Sequence, residues 1–371
     1  MERNLNFKKK KLAILHPAFG WGGAETVCMW IIKALKNDFH INLITNGMDV
    51  NFNKINSFFG MDFSKDDFKI IKLKKYPLEG YILSSHLAQR YFKKHKREYD
   101  LAISTNNEMD LGTMGIQYVH FPIMLKTEEK NNLYKKIYYL VSSYLSGYDR
   151  EKMKSNFTLT NSFWTQKMIK KAYGIESKVI YPPIEDISGV SWDKRENGFL
   201  CIGRIAPEKK IEKVFAILRE IKKTFSDVHL HIIGAYGDKE YLEKIQSLTK
   251  NDKSWIFFNL NISRDELKEL VSLHKYGIHA MEEEHFGMVV AEMIKAGCIV
   301  FVPRGGGQVE IVGKDERIVY SDTDEAIRKI KNVLQDHSKQ EEILIKLSSL
   351  GKLFSEEKFM QDIRDTVSKL I

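Results

Sequence analysis

Residues 199–223 read FLCIGRIAPEKKIEKVFAILREIKK, and this stretch decides the class of fold. It starts with a short apolar run, Phe199–Ile202, which predicts a buried β-strand that ends at Gly203. A polar loop follows, and then Ile211–Lys223 carries apolar residues at the spacing of one helix face. A strand, a loop and a helix in such close succession form the repeating unit of a parallel sheet.

The same alternation of short β-rich runs and longer amphipathic runs extends along the whole chain. The predicted strands are Leu12–Leu15, Ile41–Ile44, Ile70–Leu73, Leu101–Ser104, Ile116–Val119, Phe157–Leu159, Val179–Tyr181, Phe199–Ile202, Val228–Ile233, Ile256–Phe258, Gly277–His279, Ile299–Val302 and Ile318–Tyr320. Helices are predicted between them, for example at Glu25–Leu35, at Ser162–Tyr173 and after the capping box Ser263–Glu266. The pattern predicts an α/β protein with helices on both faces of its sheets.

The length of 371 residues suggests two domains, at roughly 100–200 residues each. Consecutive prolines in Tyr181-Pro182-Pro183, followed by a polar stretch, cannot continue a strand or a helix and indicate a linker. We therefore expect one doubly wound, Rossmann-like domain over residues 1–185 and a second over 186–354. If the two face each other across a central cleft, the ligand would bind there, at the carboxyl ends of the strands.

Composition excludes several classes of protein. With 43% hydrophobic and 29% charged residues the chain is ordinary globular protein rather than collagenous or disordered. Lysine and arginine number 58 against 49 acidic residues, so the net charge of +9 permits an anionic partner such as a membrane surface, nucleic acid or a phosphorylated substrate. The three cysteines, Cys28, Cys201 and Cys298, lie far apart, which argues against a disulfide framework or a cysteine zinc site and favours a reducing compartment.

The basic start of the chain resembles the first part of a secretion signal. The apolar run that follows, Leu12–Leu15, is too short for export, and no stretch approaches the roughly 18 apolar residues of a membrane span. Together with the cysteine usage this predicts a cytoplasmic protein.

The segment Met281–Gly297 carries the strongest chemical signal. Phe286 and Gly287 precede an apolar helical run whose exposed first amides and dipole favour a phosphate. Glu284 falls in the loop before that helix, and Glu292 falls inside it, where a carboxylate can accept hydrogen bonds from ribose hydroxyls. A solvated acidic loop followed by one exposed helical glutamate is an equally weighted alternative.

Two further segments follow predicted strands. Arg204 and Lys209 lie in the loop after Phe199–Ile202. The planar, bidentate guanidinium of arginine and the compact charge of lysine suit a diphosphate. Surface cations are also abundant in this chain, so these two could be ordinary surface residues. In the first half, Gly20, Gly22 and Gly23 form a turn whose amides could approach a ligand closely. The spacing is not GxGxxG, so a nicotinamide site is disfavoured.

Four other features have an ordinary structural explanation beside a functional one. His120, at the end of a predicted strand, is more often a structural residue than a catalytic one. The triple glycine 305–307 could contact a base or ribose, or form a flexible loop. His229 and His231 alternate on one strand, but no third ligand accompanies them in sequence, which disfavours a metal site. The tyrosine-rich helix 133–148 suits either a membrane interface or core packing.

Taken together, these segments resemble the GT-B glycosyltransferases of the large retaining family four, the glycosyl transferases group 1, over nearly the whole chain. The resemblance depends on GWGGAE at 20–25, YVHFP at 118–122, NSFWT at 161–165, VIYPP at 179–183, GRIAPEKK at 203–210, EEHFGMVVAE at 283–292 and GGGQVEIV at 305–312. Within the family, YVHFP, NSFWT, YPP and EHFG are most similar to the lipid-linked-oligosaccharide mannosyltransferases that use GDP-mannose.

The resemblance implies roles for individual residues. Arg204 and Lys209 would hold the donor diphosphate, and Glu292 would bind the nucleotide ribose. Catalysis would involve these two cations together with Glu284, which would hold the transferred sugar, and His120, which would touch the sugar or acceptor side. Backbone contacts to the donor would come from Gly22, Gly23, Phe286, Gly287 and Met288.

The resemblance also implies an overall activity. The enzyme would be a retaining, metal-independent hexosyltransferase of EC 2.4.1 type that moves a hexose, with mannose favoured, from a nucleotide-sugar to a glycan or lipid-linked acceptor. It would need no cofactor beyond the donor, no bound metal and no nucleic acid. The family fold further predicts that the last helix, within 355–371, packs back on the first domain.

The sequence departs from the family pattern at two positions. His285 stands where a glycine is usual after the first glutamate, and Lys210 stands where a glycine is usual after Lys209, which leaves the geometry of that loop open. A nucleotide-sugar 2-epimerase of GT-B fold and a non-enzymatic polyanion-binding protein are the alternative functions. The positive charge is also consistent with peripheral docking on an anionic inner membrane face.

Overall fold

The computed structural model describes residues 9–47, 50–74, 80–123, 133–235 and 237–371. The chain divides into two compact units, Met1–Pro183 with Glu356–Ile371, and Ile184–Ser355. The signal-like start, residues 1–8, lies outside the described residues.

The boundary between the units lies two residues before the expected position at 185. The Ile184 amide donates a hydrogen bond to the Phe354 carbonyl at 2.8 Å. Glu185 forms ion pairs with Lys268 and Arg264 of the second unit. These contacts hold residues 184 and 185 in the second unit rather than in the first.

The described part of the first unit contains a seven-stranded sheet with the order β3-β2-β1-β4-β5-β6-β7 and parallel pairing throughout. Its strands are β1 (Lys10–Leu15), β2 (Phe39–Thr45), β3 (Phe68–Lys72), β4 (Leu101–Ser104), β5 (Ile116–Val119), β6 (Phe157–Thr160) and β7 (Lys178–Val179). Its helices are α1 (Gly23–Leu35), α2 (Phe52–Phe59), α3 (Tyr81–His95), α4 (Leu133–Ser146), α5 (Arg150–Lys154), α6 (Phe163–Tyr173) and α14 (Glu356–Ser368), with a 3₁₀ turn at Lys96–Glu98.

The core of the first unit lies on both faces of its sheet. Residues 12–15 of the central strand β1 are fully buried, as expected for a parallel strand that is covered by helices on both sides. The returning helix α14 packs on α1 through Phe359, Ile363 and Val367. Arg364 of the same helix donates a hydrogen bond to the Ala34 carbonyl at 2.9 Å. The last helix thus belongs to the first unit although it follows the second in sequence.

The second unit contains a six-stranded parallel sheet with the order β10-β9-β8-β11-β12-β13 among its described residues. Its strands are β8 (Glu196–Ile202), β9 (His229–Gly234), β10 (Ile256–Leu260), β11 (His274–Ile278), β12 (Ile299–Pro303) and β13 (Val319–Tyr320). Its helices are α7 (Ile211–Lys222), α8 (Lys239–Leu248), α9 (Arg264–Leu273), α10 (Met288–Lys295), α11 (Gln308–Ile311), α12 (Thr323–Leu334) and α13 (His337–Gly351), with 3₁₀ turns at Trp192–Lys194, Pro207–Lys209 and Lys352–Phe354.

The predicted fold class is confirmed, with two Rossmann-like α/β units built on parallel sheets. Each predicted strand corresponds to an observed one, and the differences lie at the ends. The strand starts differ most at β8 and β11, by three residues each, and at β11 the end differs as well, since it is predicted at Gly277–His279 and runs from His274 to Ile278. Its first residues are polar, so hydrophobicity alone placed the strand too late.

None of the helices in the described ranges combines the length and the apolar character that crossing a bilayer requires.

Candidate active site

The candidate site of the second unit lies where strands β8 and β11 end. Gly203 follows β8 directly with a φ of +149°, and Gly234 ends β9 with a φ of +153°. A Cβ at Gly234 would overlap the Gly203 carbonyl, so only glycine lets these two strand ends come together. The close approach fixes the start of the loop that carries Arg204 and Lys209.

Three charged or polar side chains meet at this edge of the sheet. Lys209 ends the 3₁₀ turn after β8, and its Nζ lies 2.6 Å from Oε2 of Glu284. His279, the residue after β11, places its Nε2 3.2 Å from the same oxygen. The parallel order of β8 and β11 brings these residues together although up to 75 positions separate them in sequence.

Glu284 is ionised at neutral pH. Burial by itself would raise the pKa of this carboxyl, but the hydrogen bond from His279 and the charge of Lys209 hold it well below its usual range. The side chain retains 19% exposure, so the carboxylate is also reachable from solvent. An ionised, partly accessible carboxylate can accept hydrogen bonds from the hydroxyls of a sugar.

The triple glycine supports the Glu284 loop. The Gly307 amide donates to the Glu284 carbonyl at 2.6 Å. A Cβ at Gly306 would lie 2.5 Å from that carbonyl oxygen and 2.6 Å from the Glu284 nitrogen. Gly306 and Gly307 therefore let two loops pack backbone to backbone, a role in the protein itself beside the predicted contact with a ligand.

Helix α10 begins directly after this loop. Gly287 precedes it with a φ of +106°, and Met288 is its first residue. The Phe286 side chain is 2% exposed and packs on the Phe354 ring with centroids 5.7 Å apart. A ligand at this helix start would therefore meet the backbone of Phe286 rather than its ring.

Two other predicted residues have partners of their own. Glu292, the fifth residue of α10, pairs with Arg264 of α9 at 2.8 Å. Arg204 pairs with Glu208 at 2.7 Å and remains 66% exposed at its side chain. The structure thus joins Lys209 to Glu284 directly, while Arg204 and Glu292 face other groups.

The glycine turn of the first unit is built around Glu25. Gly22 is the N-cap residue of α1 and Gly23 its first residue. The buried Glu25 carboxylate accepts the amides of Gly20 and Gly22, each at 2.8 Å, and lies 3.0 Å from Nε2 of His16. Two of the turn's amides are therefore occupied by the protein itself.

His16 and Glu25 hold each other in their charged forms. Burial alone would lower the pKa of His16, yet the neighbouring Cys28 and Glu25 raise it to about 10. Burial alone would raise the pKa of Glu25, but the hydrogen bonds from His16 and from the Gly20 amide lower it to about 2. The pair is an internal ion pair beneath the glycine turn.

His120 lies close to this pair. It follows β5, and its Nε2 is 3.2 Å from the Thr105 carbonyl, while the Thr105 hydroxyl is 2.9 Å from Nδ1 of His16. Oδ1 of Asn107 positions His120 by accepting a hydrogen bond from its backbone amide at 3.0 Å. His16, Glu25, Thr105 and His120 thus form one polar cluster at the carboxyl ends of β1, β4 and β5.

Sequence patterns alone did not identify four polar residues of these sites, His16, Thr105, His279 and Arg264. The first three share a recognisable signal at the edge where ligands bind, since His16 and Thr105 directly follow predicted apolar strands and His279 is the last residue of one. Arg264 is the first residue after the cap Ser263, but nothing in the sequence links it to Glu292.

Comparison with known proteins agrees with this architecture. A family model described as "Glycosyl transferases group 1" matches residues 184–346. Among curated proteins, the GDP-Man:Man(3)GlcNAc(2)-PP-Dol alpha-1,2-mannosyltransferase of Dictyostelium discoideum is 27% identical over 265 residues, covering 65% of this chain and 50% of that protein. The mouse protein of the same name is 28% identical over 191 residues, covering 47% of this chain and 38% of that protein. The chain thus matches about half or less of the length of these relatives.

Solved structures share the fold at low sequence identity. Anabaena Alr3699/HepE in complex with UDP and glucose superposes with a TM-score of 0.71 at 16% identity, covering 97% of this chain and 99% of that one. The sucrose-phosphate synthase from Thermosynechococcus elongatus gives a TM-score of 0.74 at 15% identity, covering 98% and 99%. The protein therefore has the GT-B fold of these structures and carries a glycosyl transferases group 1 domain in its second unit.

Proposed function

We propose that the protein is a hexosyltransferase that moves mannose from GDP-mannose to a lipid-linked glycan acceptor. The observation that carries the proposal is the contact between Lys209 and Glu284 beside the first turn of α10. The identity of the donor and of the acceptor is taken from the curated relatives, whose names specify GDP-mannose and a dolichol-linked oligosaccharide.

The chemistry follows from the charges at this edge of the sheet. As the nucleoside diphosphate leaves, negative charge grows on its phosphates, and Lys209 together with the amides of the α10 N-terminus stabilises that charge. Lys209 would then exchange its contact with Glu284 for a phosphate oxygen. Glu284, kept ionised by His279, would accept the hydroxyls of the transferred sugar, whose anomeric carbon becomes positively charged.

We further propose that transfer is retaining and needs no bound divalent metal. Lys209 and the helix N-terminus supply the positive charge that a metal ion supplies in other transferases. In the retaining reaction that we propose, the acceptor attacks on the face from which the diphosphate leaves, and a phosphate oxygen takes the acceptor proton. NMR analysis of the anomeric configuration of the product, and transfer measured in EDTA, test these two points.

A panel of nucleotide sugars tests the donor site. We expect GDP-mannose to raise the melting temperature more than UDP-glucose or UDP-N-acetylglucosamine, and Glu284→Ala to abolish the increase. Glu282→Ala is the matched control, because Glu282 lies in the same loop but pairs with Lys210 and Lys213 at the surface. Equal responses of the two variants would overturn the assignment of Glu284.

The requirement for an acceptor separates transfer from epimerisation. A transferase releases GDP rapidly only when an acceptor glycan is added, whereas a 2-epimerase of the same fold turns over donor alone. Donor turnover that is unaffected by acceptor would therefore contradict the proposed transfer reaction.

The partner surface of the first unit is proposed to be an anionic membrane. Helix α4 exposes Ile137, Leu140, Val141, Tyr144 and Leu145, which recur at helical spacing, and Leu140 is 65% and Tyr144 87% exposed. Lys136 flanks this stripe, and the net charge of the chain is +9. An amphipathic helix with an apolar and aromatic face beside basic residues suits peripheral binding to anionic lipid.

Vesicle flotation tests the membrane proposal. The chain should float with vesicles that contain phosphatidylserine and remain behind with phosphatidylcholine alone, and Leu140→Glu should reduce binding at least about tenfold. Ile345→Glu is the control, because Ile345 is 73% exposed on a different helix, α13. Equal loss in both variants, or no binding by the unmodified chain, would refute the role of α4.

A further inference from the structure

Three histidines meet at the end of the second sheet opposite to the candidate active site. His229 is the first residue of β9, His231 lies two residues further on the same face, and His274 is the first residue of β11. The sequence offered no third ligand to the first two, and the strand order β9-β8-β11 supplies one. Among the described residues, these three histidines form the one group with ligand atoms close enough for a shared metal ion, all within 4.8 Å of one another.

The distances approach those of a tetrahedral site. Nε2 of His229 lies 3.1 Å from Nε2 of His274. Zinc–nitrogen bonds of about 2.0–2.1 Å place two tetrahedral ligands about 3.3 Å apart. Oε2 of Glu196, the first residue of β8, is 3.2 Å from the same His229 nitrogen and 4.0 Å from that of His274. Three imidazoles thus converge on one small volume, and the Glu196 carboxylate reaches two of them.

The hydrogen bonds around the cluster set the tautomers. Nδ1 of His274 lies 2.6 Å from the Leu270 carbonyl. Since a carbonyl only accepts, this Nδ1 carries the proton, and in the neutral ring Nε2 keeps its lone pair. Nδ1 of His231 is similarly engaged with Oδ1 of Asn259 at 2.8 Å, which leaves its Nε2 as an acceptor. Hydrogen bonds of this kind orient the histidine ligands of metal sites.

The remaining contacts of the cluster involve His229 and Glu196. Nε2 of His229 lies 3.1 Å from Nε2 of His274 and 3.2 Å from Oε2 of Glu196, and both of these atoms are acceptors. A proton on that nitrogen would be directed at two acceptors at once, whereas a cation would bind both of them. Gly198 of β8 makes room for this arrangement, because a Cβ there would overlap the rings of His229 and His274.

We propose that His229, His231, His274 and Glu196 bind a structural Zn²⁺ ion. The ion would join the amino ends of three neighbouring strands, with Asn259 and the Leu270 carbonyl as its outer hydrogen-bond partners. The seven residues of β8 separate it from the active-site loop by roughly 20 Å, at about 3.3 Å per residue. The ion therefore stabilises the second unit and takes no part in sugar transfer.

Zinc binding to the full chain after chelator treatment tests the proposal. Isothermal titration with ZnCl₂ should give one site per chain with a micromolar or tighter Kd, and the melting temperature should rise with bound metal. Co²⁺ in the same site should show the intense visible absorption of a tetrahedral ion. His229→Asn should weaken binding at least about tenfold, and so should His274→Asn.

Control variants separate this site from the others. His40→Asn should leave the affinity unchanged, since His40 is an exposed histidine of the first unit. Glu284→Ala should also bind zinc normally, which shows that His279 and Glu284 are not the site. His274 is buried, so if its variant fails to fold, the half-buried His229 provides the decisive variant. Unchanged binding in His229→Asn, or no saturable binding by the unmodified chain, would overturn the proposal.

Zinc binding at this site does not depend on the proposed transferase activity. Donor binding by His229→Asn below its melting temperature should equal that of the unmodified chain. If the chain binds no zinc, the measurements of nucleotide-sugar binding still stand. If it binds no nucleotide sugar, the measurements of zinc binding still stand.

Discussion

Each unit of the protein places a histidine–glutamate pair at the carboxyl edge of its sheet, and the two pairs are used differently. In the first unit, His16 lies 3.0 Å from Glu25, and in the second, His279 lies 3.2 Å from Glu284. Both histidines directly follow a strand, and both glutamates lie in or just after the next loop. The chemistry of the two pairs is the same, so their surroundings decide their roles.

The surroundings differ in what else the carboxylate binds. Glu25 accepts two amides of its own glycine turn, and its side chain is 8% exposed. Glu284 is bound instead by Lys209, a flexible cation that can leave, and its side chain is 19% exposed. A carboxylate that is occupied by backbone organises a loop, whereas one held by side chains remains available to a ligand.

The strongest test of this contrast is the loss of turnover on removing Glu284. Glu284→Ala should reduce sugar transfer by at least about 10³-fold, because the charge that meets the sugar in the transition state is lost. Transfer is measured with labelled GDP-mannose and a lipid-linked acceptor, with circular dichroism to confirm the fold. Glu282→Ala should retain activity, and wild-type turnover in Glu284→Ala would remove the distinction between the two pairs.

Removing Glu25 should lower the stability of the folded protein. Glu25→Ala leaves His16 buried without its counter-charge, and we expect the free energy of unfolding to fall by about 3–5 kcal/mol. Urea denaturation measures this change, and Glu151→Ala, which removes an exposed ion pair with Lys154, should cost less than about 1 kcal/mol. A loss for Glu25→Ala as small as that of the control would show that the pair does not hold the turn.

The support of the Glu284 loop can be tested through neighbouring glycines. Gly306→Ala drives a methyl group into the Glu284 backbone, whereas the nearest atom to a Cβ at Gly305 is 3.8 Å away. Both glycines have a positive φ, +122° at Gly305 and +74° at Gly306, so both alanine variants also carry backbone strain. We expect Gly306→Ala to be about 1–3 kcal/mol less stable than Gly305→Ala and to lose the thermal shift with GDP-mannose. Similar behaviour of the two variants would contradict the proposed support.

The His16–Glu25 pair also predicts a pH dependence with a definite sign. The folded pKa of His16, about 10, lies above its ordinary 6.5, so its contribution to stability is complete below pH 6.5 and is lost as the pH rises to about 10. The folded pKa of Glu25, about 2, lies below its ordinary 4.5, so its contribution is lost as the pH falls through that range. The stability difference between the unmodified chain and His16→Gln should therefore shrink between pH 6.5 and pH 10. A difference that stays constant would show that His16 is not charged.

The smallest effect is expected at Lys210. This residue adopts a φ of +49° and a ψ of +44°, the left-handed conformation that the family's usual glycine occupies readily. The departure from the family pattern thus leaves the turn intact at a strain of about 1 kcal/mol, which Lys210→Gly relieves while losing the exposed ion pair with Glu282. We expect the free energy of unfolding to change by less than about 1 kcal/mol. A larger loss would show that the ion pair matters more than the strain.

Local sequence patterns were enough to predict the strands and the class of fold, because hydrophobic periodicity reports directly on which faces are buried. The same patterns placed Glu284 before a helix and Glu292 within it, as observed. The start of β11 was predicted too late, since its first residues, His274 and Lys275, are polar.

By itself, the sequence determined the alternation of strands and helices, the glycine turns and the residues that follow each strand. The tertiary structure decided which of those residues meet. Three pairs of residues become neighbours only because the strand order places β11 on one side of β8 and β9 on the other. These pairs are Lys209 with Glu284, Arg264 with Glu292, and His274 with His229. Periodicity is a property of adjacent residues, whereas these contacts depend on how the crossovers arrange the strands, and no local pattern contains that arrangement.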